Sequence, residues 1–270
     1  MNQSPETAAS AAPDSAQKTI NSLRLRDPFH WLVLGGRDLL ATPGISLFYG
    51  CCFWLMAIVL GAVFRSKPEY VISIASGCLL VGPFLAMGLY EVSRRRECGI
   101  APELGASLTC WDSHLGSMSM LVLVLIVLEL IWGRASLVVF AVFFNTGMPS
   151  TTGVVQAVFN PDNWEFLLVY LLVGGAFAAV VFSVAVVSIP MILDRDTDAI
   201  SAAITSLQVV FANPWVLLLW GALLTGLVLL ALLPWAAGLL LIGPWLGHAS
   251  WHAYRGSVHW PLGEDSAQPA

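Results

Sequence analysis

Hydrophobic positions in this chain fall in long blocks, 46–64, 70–90, 117–144, 166–193, 215–233 and 235–247, separated by short stretches where charge and proline collect. With modest extension into its flanks, each block reaches the roughly 20 residues that a helix needs to cross a hydrocarbon core of about 30 Å. Lipid offers no hydrogen-bond partner, so segments this apolar must satisfy their backbone internally, as helices. The alternation of a membrane β-barrel is missing, since the run Leu121–Leu130 leaves no polar face except Glu129; a barrel is rejected. The pattern predicts an all-α, polytopic membrane helical bundle of six transmembrane helices.

Three shorter segments have a different period. The stretch Phe29–Leu40 is too short and too charged at its edges to cross, and reads as a helix lying in the interface. Before span 3, Leu104, Leu108 and Trp111 recur at helical spacing, as do Ile200, Ile204, Leu207 and Phe211 before span 5. Interfacial helices are therefore expected over about 28–41, 101–113 and 198–212, each introducing a two-span hairpin, at about 45–92, 115–193 and 214–255. The first and third units match directly. Leu79–Leu85 resembles Leu240–Leu246, each followed by an aromatic (Tyr90, Trp251) and an arginine (Arg94, Arg255), and Ala41-Thr42-Pro43 resembles Ala212-Asn213-Pro214. The middle unit is fainter, sharing Ser107-Leu108 with Ser206-Leu207 and an intramembrane Pro190, and it carries an insertion that ends in an outer loop, 145–163. A single six-span domain, 23–258, is expected between a disordered cytoplasmic tail, 1–22, and a flexible tail, 259–270. Residues 1–28 hold neither an apolar core nor a cleavage site, so the first span is expected to act as the insertion signal.

Composition agrees with the pattern. Hydrophobic residues make up 57% of the chain and charged residues 11%, against about 45–50% and about 25% in a soluble domain, so a soluble reading is excluded. The net charge of −5 says less than its distribution: Lys18, Arg24, Arg26, Arg37, Arg94, Arg95, Arg96, Arg195 and Arg255, nine of the twelve basic residues, fall on one side. By the positive-inside rule both termini are cytoplasmic. No basic patch suits a nucleic acid. The five cysteines lie in spans or on the inferred cytoplasmic side, which argues against a disulfide framework.

Ionisable groups inside hydrocarbon are costly and so carry the functional expectations. Positions four and eight residues after the prolines of spans 2, 4 and 6 are Met87 and Glu91, Asp194 and Asp198, and His248 and His252. If the spans pack about a common axis, two carboxylates and two imidazoles could share one pocket. His248 and His252 stack on one helical face and could present two nitrogens to a transition metal, with Glu91 or Asp194 completing the set. Haem ligation would need a further axial donor such as His30 or His114. Competing readings stay open. The histidines suit an aromatic belt at headgroup level with Trp245, Trp251, Tyr254, His259 and Trp260, or proton handling; Glu91 can pair with Arg94 or Arg95 one turn away; Asp198 can cap the following interfacial helix. Glu129, in mid-span, is a candidate protonated carboxylate. No phosphate-binding glycine loop and no nucleophile elbow occurs.

The runs Gly88–Glu97, Pro190–Asp196 and Gly247–Arg255 together resemble a bacterial family of integral inner-membrane proteins, numbered 2189 among the domains of unknown function, over about residues 25–258. Some of its members carry labels connecting them with cytochrome c oxidase. This chain has five histidines, short of the oxidase core's six-histidine constellation, so the label implies at most an accessory or assembly component of a respiratory complex. The expected partners are the lipid bilayer and other integral membrane subunits. A metal- or haem-binding membrane protein and a small-solute transporter are the alternatives.

Overall fold

The computed structural model describes residues 18–66, 71–144 and 160–260. The tail as far as residue 17, the outer loop over 145–159 and the chain beyond residue 260 lie outside the described residues.

The fold is all-α. Helix α1 (Asp27–Ala41) starts where Asp27 accepts a hydrogen bond from the Arg24 backbone at 2.7 Å and a proline follows in the first turn. It stops at Thr42, because Pro43 offers no N–H and disfavours a helical residue before it. Pro43 then opens α2 (Pro43–Ser66) in a new direction, and α3 (Val71–Glu97) returns beside it. The segment expected as one interfacial helix over 101–113 is broken into α4 (Leu104–Thr109) and a 3-10 turn, Asp112–His114. Its small polar side chains turn back onto the backbone there, Ser107 to Leu104 at 2.8 Å and Thr109 to Gly105 at 3.2 Å. Then come α5 (Leu115–Phe143), α6 (Trp164–Arg195), α7 (Ala199–Ala212), α8 (Pro214–Leu232) and α9 (Leu239–Ser257).

The α7–α8 junction repeats the α1–α2 junction closely. Thr42 sits at φ −129°, ψ 54° and Asn213 at φ −134°, ψ 53°, each with its backbone N–H on the carbonyl four residues back. Helices α3, α6 and α9 each contain an interior proline, Pro83, Pro190 and Pro244.

Among the described residues, four helical stretches are long and apolar enough to cross a membrane: Pro43–Ser66, Leu104–Phe143, Trp164–Arg195 and Pro214–Leu232. Only 11–39% of their apolar windows is buried inside the protein, as befits helices whose outer faces lipid can solvate. Packing is closest around α9. It lies against α1 and α2 so tightly that a Cβ on Gly35 would come within 2.5 Å of the Ala249 nitrogen, and one on Gly50 within 2.1 Å of the Leu240 carbonyl oxygen. The shorter helices α4 and α7 dock likewise, α4 on α3 and α7 on α6. Trp31 of α1 meets Trp220 of α8 edge to face at 5.5 Å, in a core that includes Met87, Ile192, Trp251 and Tyr254.

The two ends of the described chain meet. Residues 18–22, expected in a disordered tail, run as β1 (Thr19–Ile20) antiparallel to β2 (Val258–His259). Lys18 bonds Thr205, and Asn213 clasps the same segment by accepting from the Leu23 backbone at 2.8 Å and donating to Asn21 at 3.0 Å. At the opposite end, Arg65 stacks over Trp235 at 5.3 Å in the turn that joins α8 to α9.

Candidate functional site

Polar side chains gather in one layer, where α1, α4 and α7 lie and where α3, α6 and α9 end. His248 is fully buried there. Its Nε2 lies 3.0 Å from the Ser46 hydroxyl of α2 and its Nδ1 2.8 Å from the Ser93 hydroxyl of α3. A neutral imidazole has one donor and one acceptor nitrogen, and a hydroxyl can partner either. Ser46 continues to Thr42 at 3.3 Å, which donates to the Asp38 carbonyl at 2.9 Å. His252, one turn on from His248, holds the Asp38 carboxylate at 2.9 Å, and Arg96 approaches its other oxygen at 3.2 Å. Burial alone would raise the Asp38 carboxyl, but hydrogen bonds from His252 and Ser93 outweigh it and hold the group below its ordinary value.

A second set of bonds ties α3, α6 and α9 together. Trp251 donates to Glu97 at 3.0 Å, Arg255 reaches Glu97 at 3.1 Å and Asp194 at 3.6 Å, and Tyr254 donates to Asp194 at 2.7 Å. Arg195 pairs with Asp194 at 3.2 Å and stacks over Trp260 at 4.8 Å.

Glu91 forms a third set. It is 3% exposed and is gripped by Arg94 at 2.7 and 3.1 Å and by Arg95 at 2.8 Å, the ion pairing that its spacing allowed. This trio forms one wall of a cleft of about 420 Å³ whose other walls come from α4, the 3-10 turn and the end of α6.

The structure thus brings the expected residues to one layer without joining them to each other: no hydrogen bond or ion pair links any two of Glu91, Asp194, His248 and His252 among the described residues. Nor do three or more His, Cys, Asp or Glu side chains there come together as metal ligands. The aromatic belt is corrected in part, because Trp251 and Tyr254, like His248, are buried in the protein rather than set at its rim. Asp198 caps α7, accepting from the Ile200 and Ser201 backbones at 3.0 and 2.9 Å. Hydrogen bonding from Ser201 lowers its carboxyl. Glu129 is half-buried midway along α5.

Sequence reasoning missed Asp38, Ser46, Ser93 and Arg96. Asp38, Thr42 and Ser46 recur every four residues across the proline junction, a spacing that carries one polar face from α1 into α2 and was available as a signal. Nothing in the local sequence marks Ser93.

Residues 71–194 match the model of a family described as "Predicted integral membrane protein (DUF2189)". Two of the three runs that carry the resemblance fall inside the match, apart from the last residues of the second, and Gly247–Arg255 lies beyond it. Comparison with curated proteins and with solved structures found no match in either. The chain is an integral membrane protein with several apolar helices.

Proposed function

We propose that this integral membrane protein is a non-catalytic component of a larger assembly in the bacterial inner membrane, a six-span bundle of three hairpins, each introduced by an interfacial helix. One observation carries the functional reading. Every candidate site side chain in the polar layer is held by another part of its own chain: His248 by Ser46 and Ser93, His252 by Asp38, Glu91 by Arg94 and Arg95, Asp194 by Tyr254 and Arg195. The bonds of His248 and His252 and the Tyr254–Asp194 bond fasten helices together, those of Glu91 lie within α3, and the apolar faces of α2, α5, α6 and α8 are left for lipid or for other membrane subunits.

The six-span reading rests on layering. Asp38 before α2 meets Arg96 at the end of α3, His114 before α5 lies 3.8 Å from Asp196 after α6, and Asn213 before α8 bonds Asn21, which itself bonds the end of α9. Each hairpin therefore starts and finishes in one layer, so a crossing by α2, α5 or α8 requires a return by α3, α6 or α9. At 1.5 Å per residue, the 19 residues of α9 span about 28 Å, close to the hydrocarbon thickness of about 30 Å. The matching Thr42 and Asn213 junctions, the three interior prolines and the docking of each interfacial helix on the last helix of a hairpin support a repeated unit. Arg37, Arg94, Arg95, Arg96, Arg195 and Arg255 share the layer, which supports a cytoplasmic face with both termini there.

Purification of the tagged full chain from native membranes in mild detergent tests the assembly role. Stoichiometric recovery with other integral membrane subunits is expected, and the label on some relatives makes respiratory subunits the first to look for. Recovery as a lone monomer in several gentle detergents would overturn the reading. Elemental analysis and an optical spectrum of the same sample read the alternative directly: a stoichiometric transition metal or haem lost in His248→Ala and His252→Ala would replace it with a cofactor-binding function.

A further inference from the structure

The cleft beside Glu91 is unlike the rest of the polar layer, because one buried acid there faces two arginines while the second acid of its lining, Asp196, stands out at the rim. Elsewhere in the layer Asp38 faces Arg96 and His252, and Asp194 with Glu97 faces Arg195 with Arg255. Glu91 brings one negative charge against the two positive charges of Arg94 and Arg95. Its carboxylate occupies Nε and Nη2 of Arg94 and Nε of Arg95, and no described side chain or backbone group takes the remaining guanidinium N–H groups of the pair. The Arg94 and Arg95 side chains are 32% and 25% exposed, so those N–H groups are within reach of the cleft. Asp196, the other acidic side chain of the lining, is 75% exposed at the rim beside His114, where water screens it. Thr109 and Ser113 add hydroxyls to the wall. The volume of about 420 Å³ lies within the range of small-ligand sites.

We propose that this cleft is a binding site for a phosphate-bearing anion, held by the free guanidinium faces of Arg94 and Arg95 and by the Ser113 hydroxyl, with an anionic phospholipid headgroup as its source. Guanidinium and phosphate match in geometry and bond through paired N–H groups. Basic pockets between helices at the cytoplasmic surface are suited to anionic headgroups. The apolar surroundings point to lipid: Ile100, Leu108 and Leu115, on the segments that form this side of the layer, are exposed at 55%, 38% and 43%, and offer contacts for acyl chains. Glu91 acts as a positioning residue, fixing the two arginines side by side.

The test uses the full chain in a zwitterionic detergent. Thermal unfolding is followed during titration with phosphatidylglycerol, phosphatidylcholine or inorganic phosphate, and bound lipid is counted by native mass spectrometry. Saturable stabilisation by phosphatidylglycerol, with one lipid retained and no effect of phosphatidylcholine, is expected. Arg95→Gln should weaken that binding roughly tenfold, the loss of about one charge-assisted hydrogen bond. Because Arg95→Gln also removes a partner of Glu91, Thr109→Trp serves as a second variant: it fills the mouth of the cleft, leaves the ion pairs in place and should abolish the lipid effect with the protein still folded. Equal saturable stabilisation by inorganic phosphate, lost in both variants, supports the site with free phosphate as the source and overturns the headgroup assignment. No saturable effect of either anion, or an effect unchanged in Thr109→Trp, overturns the site.

Discussion

His248 shows what a polar side chain in this bundle does. Its two ring nitrogens join hydroxyls that stand 202 and 155 residues away in the chain, so it fastens α9 to α2 and α3 at once. In His248→Ala each serine hydroxyl loses one of its partners inside the protein and a cavity opens. The expected cost is about 2–4 kcal/mol, read as a lowered unfolding midpoint in detergent. Asp38 adds a pH signature. Its carboxyl is held below its ordinary value, so its contribution is present above the unfolded pKa of about 3.9 and is lost as the pH falls through the folded value. Asp38→Asn should therefore be less stable than the natural chain at pH 7, with the gap closing below about pH 4. At this scale the sequence singled out His248, His252, Glu91 and Asp194 and passed over Asp38, Ser46, Ser93 and Arg96. An imidazole pair or a carboxylate in an apolar block stands out at once, whereas Ser46 and Ser93 look like any small residue tolerated in a membrane helix, and their partner is too distant in sequence for spacing to find.

Helix boundaries were far more legible than helix neighbours. Pro43 and Pro214 end α1 and α7 by removing a donor and constraining the residue before, and those breaks are local events written in adjacent residues. Which face packs where is another matter, because a helix apolar all round gives its hydrophobic pattern no direction. The contacts are set instead by small residues, and α2 contains both kinds of glycine. Gly50 lies on the backbone of α9, so Gly50→Ala must push the helices apart and should cost about 1–3 kcal/mol. Gly61, on the same helix, has nothing within 4 Å of an added Cβ, and Gly61→Ala should be neutral or stabilising by up to about 1 kcal/mol. Unfolding midpoints of the two variants in one detergent check the contrast, and equal effects would show that the α2–α9 approach is not close.

For the whole molecule, the hydrophobic blocks make an all-α membrane bundle legible because lipid permits little else. They say less about how many helices cross: among the described residues four stretches qualify by length and apolarity, while α3 and α9 concentrate the polar residues that hold the bundle together. The two topologies separate at Ser113, in the turn before α5. If α2, α5, α6 and α8 alone cross, the chain between α3 and α5 stays on the outer side and Ser113 faces out. If α3 and α9 cross as well, Ser113 shares the cytoplasmic layer with Asp38, as the Asp38–Arg96 contact at 3.2 Å requires of the end of α3. In a chain cleared of its natural cysteines, Ser113→Cys should therefore resist a membrane-impermeant thiol reagent in intact cells and react once the membrane is opened. Ser66→Cys, at the far end of α2, should react from outside in either topology and so reports that the reagent reached the protein. Labelling of Ser113→Cys in intact cells would sink the six-span arrangement, and with it the placing of the arginine cleft at the cytoplasmic surface.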